Sequence, residues 1–270
     1  MAGQLAVDAS SSPETPAVGS APVLVAKGVG VGYGGVRAVD DVSISISKGE
    51  VVGIIGPNGA GKSSLLGALG GQVKRSQGVI TLGDRDISSL MPHDRARLGL
   101  VRTFQTTSEF ARMTVYENLV TAAEGDRGAS LRSVVLHPRQ TAQRELELRA
   151  RAWSIMERFE MTHTADLYGR ELSGGQRRLV EIMRCLMRHP RVLLLDEPMV
   201  GVAPHLTGKL IDDLRGIAQE GLGILIVEHA LEVVRKLCDR VVVMAFGKVI
   251  AAGEFEEVVR DPAVQAAYLS

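Results

Sequence analysis

Several short runs along the chain are apolar at nearly every position: Val51-Val52-Gly53-Ile54-Ile55, Val192-Leu193-Leu194-Leu195, Ile224-Leu225-Ile226-Val227 and Val241-Val242-Val243-Met244. They have the length of strands, and a strand with no polar side must be covered on both faces. Between them the period changes to that of a helix. Residues 174–189 place Leu179, Ile182, Met183 and Leu186 on one face, and Leu206 to Gln219 and Ala230 to Leu237 also read as helices. Buried strands alternating with helices predict a doubly wound α/β core, which binds ligands at the carboxyl ends of its strands.

Two regions depart from that alternation. Near the N-terminus Val23 to Ala26 is strand-like, Val42 to Ser47 alternates apolar and polar as a half-buried antiparallel strand does, and Gly78 to Arg85 reads as a strand with a turn. These predict an antiparallel β subdomain. A proline-started helix over Pro92 to Leu98 and a short strand over Leu100 to Gln105 follow. Then come a helix over Val115 to Ala123, a basic loop over Asp126 to Gln140 and a long charged helix from Ala142 to Phe159. This segment, up to Tyr168, reads as a helical insertion. A strand over Lys248 to Ile250 and a last helix started by Asp261-Pro262 close the chain. Residues Met1 to Ala21 hold few large apolar groups and are expected to be a disordered tail, with order beginning near Val23.

The stretch Gly56-Pro57-Asn58-Gly59-Ala60-Gly61-Lys62-Ser63-Ser64 lies between the first apolar run and a helix. Strand, glycine loop, lysine with a hydroxyl residue, then helix is the context of a phosphate-binding loop. Its glycines let the backbone N–H groups converge, and the helix N-terminus adds partial positive charge. Lys62 is placed to reach the β- and γ-phosphates of a nucleotide, and Ser63 offers a hydroxyl to Mg²⁺.

Other candidate residues stand at the ends of the remaining strands. Asp196 can hold Mg²⁺ beside Ser63, and Glu197 can orient and deprotonate an attacking water. His229 ends the next strand within reach of a γ-phosphate, and Gln105 could touch the metal or the water. Tyr33, in Gly32-Tyr33-Gly34-Gly35, either caps a turn or offers a flat face to a base. Finally, Leu172-Ser173-Gly174-Gly175-Gln176 precedes a helix. Ser173 reads as its N-cap and the glycines expose N–H groups at a positive helix end, a second anion site. Two phosphate-binding ends on one chain suggest a head-to-tail dimer, each nucleotide held between one subunit's loop and the other's Ser173 helix.

Composition narrows the picture. The 270 residues carry 31 Lys and Arg against 31 Asp and Glu, so the electrostatic footprint of a nucleic-acid binder is missing. Cys185 and Cys238 sit among apolar neighbours and read as buried free thiols. No apolar run approaches the roughly 20 residues of a membrane-spanning helix, and no secretory signal is visible. A cytoplasmic protein that meets a membrane only through a partner is expected.

In this order, Tyr33, Gly56 to Ser63, Gln105, Leu172 to Gln176, Val192 to Glu197 and His229 resemble the ATP-binding subunits of ABC transporters. The likeness spans nearly everything from Val23 to Leu269. More narrowly, Val101 to Gln105, Phe110 to Leu119, the Asp126 to Gln140 insertion, Val227-Glu228-His229 and Ala267-Tyr268-Leu269 resemble the ATPases of branched-chain amino acid importers, a group that includes urea and amide importers. The resemblance implies an ABC cassette over residues 22–270. Its nucleotide-binding core and β subdomain would be 22–104 and 190–270, with a Q-loop, helical subdomain and signature helix over 105–189. It implies ATP and Mg²⁺ as ligands: Tyr33 on adenine, the loop through Ser64 on phosphates, Ser63, Gln105 and Asp196 at the metal. Glu197 would activate water, His229 would sense the γ-phosphate, and the Ser173 to Gln176 turn would contact ATP across the dimer. Implied partners are a second ATPase subunit, a permease whose coupling helix docks near Gln105, and, indirectly, an extracytoplasmic solute-binding protein. One position departs from the family: in Met199-Val200-Gly201-Val202-Ala203-Pro204 the usual aspartate is Ala203. An exporter subunit, for example for lipopolysaccharide, and a soluble non-transport ABC ATPase are the alternative readings.

Overall fold

A computed structural model describes residues 21–103, 111–124 and 138–269. Strands are β1 Pro22–Tyr33, β2 Val36–Ser47, β3 Val51–Ile55, β4 Gln77–Leu82, β5 Arg85–Asp86, β6 Leu100–Arg102, β7 Val192–Asp196, β8 Gly223–Val227, β9 Arg240–Ala245 and β10 Lys248–Gly253. Helices are α1 Lys62–Gly70, α2 Pro92–Arg97, α3 Val115–Glu124, α4 Pro138–Arg158, α5 Gly174–Leu186, α6 Pro204–Gln219, α7 Leu231–Leu237, α8 Phe255–Val258 and α9 Pro262–Leu269.

The apolar runs form the middle of a sheet in the order β10-β9-β3-β8-β7-β6. All neighbouring pairs are parallel except β9 with β10, an antiparallel hairpin turned at Phe246-Gly247. Alternate side chains of each strand enter different cores. Val52, Ile54, Leu194, Leu225, Val242 and Met244 pack with Leu65, Leu66 and Leu69 of α1 and with Leu24, Ile44 and Ile80 of the other sheet. Ile55, Leu193, Leu195, Ile226 and Val243 pack with Ile182 and Met183 of α5, Leu210 and Leu214 of α6, and Val234 and Leu237 of α7. Each such side chain contributes about 1.5–3 kcal/mol relative to leaving it exposed, and charged residues stand only at the ends of these strands, Asp196 closing β7 and Arg240 opening β9.

Register then sets the site. Ile54 pairs with both Val227 and Val242, and Asp196 pairs with Val227. Gly56, Glu197 and Glu228 therefore leave the sheet at one edge, side by side.

The second sheet has the order β2-β1-β4-β5 and is antiparallel throughout, as the alternation in Val42 to Ser47 predicts. A buried ion pair holds it to the core. Glu50, between β2 and β3, meets Arg240 at the start of β9 at 2.5 Å, and both side chains are 5% exposed. Glu50 also accepts the Ser47 N–H, and Arg240 donates to the Ser45 carbonyl.

The insertion packs α3 and α4 onto α5 through Leu119, Met156 and Phe159. Helix α4 starts at Pro138, earlier than the expected Ala142, because proline suits the first helical turn. Strand β6 ends at Arg102, short of the expected Gln105, and Glu197 falls just past β7. Gln105, Phe104, most of the Asp126 to Gln140 loop and the tail through residue 20 lie outside the described residues. Among the described residues, no helix is long and apolar enough to cross a membrane.

Removing one partner of the Glu50–Arg240 pair leaves a buried charge uncompensated. Glu50→Ala is expected to lower stability by about 3–5 kcal/mol in urea unfolding; a change under about 1 kcal/mol would show that the pair does not join the two sheets.

Candidate active site

The loop that leaves β3 is shaped by glycines where no other residue fits. Gly56 has φ 146°, and a Cβ there would stand 2.0 Å from the Met244 carbonyl oxygen. Gly61, at φ 97°, would place a Cβ 2.1 Å from the Ala38 carbonyl oxygen. Gly61 caps α1, whose first-turn N–H groups include those of Lys62, Ser63 and Ser64 and have no intrahelical carbonyl to bond. At its other end α1 is held by Arg95 of α2, a buried guanidinium that donates to the Ala68 and Leu69 carbonyls at 2.8 and 2.6 Å. The loop is thus fixed at both ends of the helix it opens.

Lys62 is buried and folded back onto the loop, its Nζ donating to the carbonyls of Gly56 at 2.8 Å and Pro57 at 2.9 Å. Burial pushes its pKa down, and the charges of Glu197 and Asp196 push it back up. An ammonium held only by neutral carbonyls is the group most stabilised by an arriving phosphate. Ser63, beside it, is exposed at the mouth of the loop.

Asp196, 3% exposed, ends β7 and forms an ion pair with Arg102 of β6 at 2.9 Å. Glu197 follows with φ 49°, a left-handed conformation that costs a non-glycine residue on the order of 1–3 kcal/mol. Its N–H donates to the Val227 carbonyl, and its Oε1 lies 3.0 Å from His229 Nε2. Both side chains are partly exposed, so their carboxylate and imidazole face the open edge. Between β8 and His229 sits Glu228, buried, whose Oε1 accepts the Met199 N–H at 2.9 Å and Oε2 the His229 N–H at 3.2 Å. Burial pushes its pKa up against those amides. Glu228 therefore braces the turn after Glu197 and the start of the His229 segment together.

The Ser173 turn has the expected cap. Ser173 Oγ accepts the Gln176 N–H at 3.2 Å, and Gln176 Oε1 accepts the Ser173 N–H at 2.9 Å. Its two glycines differ: a Cβ on Gly174 would meet nothing, whereas one on Gly175 would come 3.0 Å from the Gly201 carbonyl oxygen. Gly175 permits close packing against the loop after Glu197, and Gly174 leaves the helix end open. Tyr33, 51% exposed, pairs across the tip of the β1–β2 hairpin with Val36, and Val36 lies two residues before Ala38, whose carbonyl abuts Gly61.

The structure thus brings Lys62, Asp196, Glu197 and His229 to one edge and sets the Tyr33 hairpin beside the loop. The Ser173 turn packs instead on Gly201-Val202. Among the described residues, no group of three or more His, Cys, Asp or Glu forms a metal site by itself. The donors present, one carboxylate and one hydroxyl, suit a hard cation shared with phosphate oxygens. The sequence gives no site role to Arg102 or Glu228, although both lie in stretches that carry the resemblance. Only Glu228 had a signal, as a carboxylate closing an apolar run.

Arg102→Met strands the Asp196 charge, and a loss of about 3–5 kcal/mol is expected in urea unfolding. Adding Asp196→Asn should restore most of it; strictly additive losses would mean that the two residues are not energetically paired.

The family described as ABC transporter matches residues 39–200, and one described as branched-chain amino acid ATP-binding cassette transporter matches residues 248–269. The chain is 36% identical over 237 residues to a probable branched-chain amino acid transport ATP-binding protein, LivG, of Archaeoglobus fulgidus, covering 88% of this chain and 91% of that one. It is 38% identical over 250 residues to the lipopolysaccharide export system ATP-binding protein LptB of Haemophilus influenzae, covering 92% and 97%. The ADP conformation of MJ1267, an ATP-binding cassette of an ABC transporter, superposes with a TM-score of 0.80 at 35% identity, covering 93% of this chain and 100% of that one. Matched over more than half its length by that family and over about nine-tenths by these relatives, the chain belongs to the ABC transporter family as an ATP-binding subunit, which hydrolyses ATP to drive transport.

Proposed function

We propose that this chain is the motor subunit of an importer for branched-chain amino acids or related small amides. It would work as one of two ATPase subunits on the cytoplasmic face of a membrane, beneath a separate permease. The carrying observation is the chemistry of one edge: a phosphate loop with a cation held on neutral carbonyls, next to a carboxylate–imidazole pair at 3.0 Å. Branched-chain amino acids as the solute are supported by the match of residues 248–269 to the branched-chain amino acid description and by the likeness to LivG. The likeness to LptB favours a second reading, an exporter subunit.

In this reading the N–H groups of Gly59 to Ser64 and the Lys62 ammonium bind the β- and γ-phosphates, and Tyr33 stacks on adenine. Ser63, Asp196 and Gln105 would hold Mg²⁺, which would offset phosphate charge. For Asp196 to serve the metal, its bond to Arg102 must share or yield. Glu197 takes a proton from the attacking water through the oxygen not engaged by His229. His229 fixes the carboxylate's rotamer and is placed to meet the γ-phosphate. The left-handed backbone of Glu197 turns its side chain out of the sheet edge toward the loop. The Ser173 end closes the nucleotide of the opposite subunit, because in its own subunit it is packed on Gly201-Val202. An external binding protein would deliver solute to the permease.

Glu197→Gln is expected to keep ATP affinity, reduce turnover at least 10²-fold and accumulate an ATP-bound dimer by size-exclusion chromatography. Wild-type turnover in that variant would remove Glu197 as the base. Lys62→Ala should weaken ATP binding at least tenfold in a fluorescent-nucleotide titration; unchanged affinity would place the phosphates elsewhere. The transport reading is tested by reconstituting the chain with a permease that co-purifies with it. ATP-dependent uptake of leucine, valine or small amides is expected, and lipid extraction without uptake would establish the exporter instead.

A further inference from the structure

Helix α5 does more than present Ser173. Five residues on from its cap, about 7.5 Å along the axis, Arg178 turns back to the strand edge. Its Nη2 donates to the main-chain carbonyls of Asp196 and of Glu197, the latter at 3.0 Å. Its Nη1 donates to Glu181 Oε2 at 2.6 Å, and Glu181 is itself buried. The guanidinium is therefore aimed by one carboxylate of its own helix and spends its other arm on the peptide that carries the candidate base. That peptide is the strained one, with Glu197 at φ 49°. Among the described residues the Glu197 carbonyl has one other donor, the Val200 N–H at 3.2 Å, while the side chain is held at its tip by His229.

The same helix touches the neighbouring loop where Gly175 meets Gly201-Val202, and the next residue, Ala203, has no group with which to signal across a dimer. An alternative path is built instead within the chain. One rigid helix carries a phosphate-facing end, Ser173, and a fork that grips the backbone of Asp196-Glu197.

We infer that Arg178 is the positioning residue through which nucleotide bound at the Ser173 end of one subunit sets the orientation of Glu197 in that same subunit, and so couples the two ATP sites of the dimer. This rests on the proposed dimer, in which Ser173 faces the partner's nucleotide. A shift of α5 on closure pulls Arg178 and rotates the Glu197 peptide. A carboxylate only 1 Å out of place loses rate on the order of 10²-fold. Because Arg178 grips main-chain oxygens, its effect does not depend on the side chain of any residue in the loop after Glu197.

The test uses the purified full-length chain, with ATP turnover measured against ATP concentration. Arg178→Gln is expected to lower kcat roughly 10- to 100-fold, to leave KM within about twofold, and to bring the Hill coefficient to one from a wild-type value above one. Unchanged kcat, a raised KM with unchanged kcat, or a lowered kcat with the wild-type Hill coefficient would each overturn the inference. So would a wild-type Hill coefficient of one. Should Arg178→Gln fail to fold, Glu181→Gln withdraws the aim of the guanidinium while leaving its donors. It should lower kcat several-fold at constant KM, and wild-type kinetics there would equally overturn the inference. The underlying dimer is checked separately: Glu197→Gln and the Arg178→Gln, Glu197→Gln double variant should both dimerise with ATP. If Glu197→Gln alone does not, the dimer fails; if only the double variant does not, Arg178 is a dimer contact and the inference fails.

Discussion

The central sheet has to be covered on both faces, and the rest of the molecule follows from that. Strands β3, β7 and β8 offer no exposed position along their length, so polar chemistry can emerge only where they end. Parallel direction brings those ends to one edge, and register levels Ile54, Asp196 and Val227 across it. The site is dense in charged groups because the sheet beneath it admits almost none.

Charges at that edge are compensated by neighbours of different kinds. Asp196 has a guanidinium, Glu197 an imidazole, Glu228 backbone amides, and Lys62 backbone carbonyls. Of the four, Lys62 is the one cation, and its partners are neutral carbonyls, which singles it out as the group waiting for an anion. Arginines act the other way, as frames for backbone. Arg95 ends α1, Arg178 holds the turn after β7, and Arg240 joins the two sheets. Guanidinium suits this work because its planar fork can serve two acceptors at once.

Much of this was legible in the sequence. Continuous apolar runs gave the parallel core, alternation over Val42 to Ser47 gave the antiparallel sheet, and Ser173 with Gln176 three residues later gave the capped helix. These signals are local: period, length and cap chemistry lie within a few residues. The arginine contacts were not legible, because Arg102 and Asp196 are 94 positions apart and Glu50 and Arg240 are 190 apart. Nothing in the neighbourhood of a lone arginine says which distant carbonyl it will reach. The left-handed turn at Glu197 was hidden for a related reason. A glutamate there has no intrinsic preference for positive φ, and the conformation is imposed by the Val227 carbonyl and by Arg178.

The two thiols have a practical bearing. Cys185 and Cys238 are free and buried, and burial pushes both thiols up, that of Cys185 to about 12. Both thiols are shielded from solvent by burial, so neither competes well for maleimides or oxidants. The natural chain is accordingly close to a cysteine-silent background. A single reporter thiol placed at an exposed position away from the strand-end edge, such as Met91, can carry a spin label or cross-linker with both native cysteines left in place.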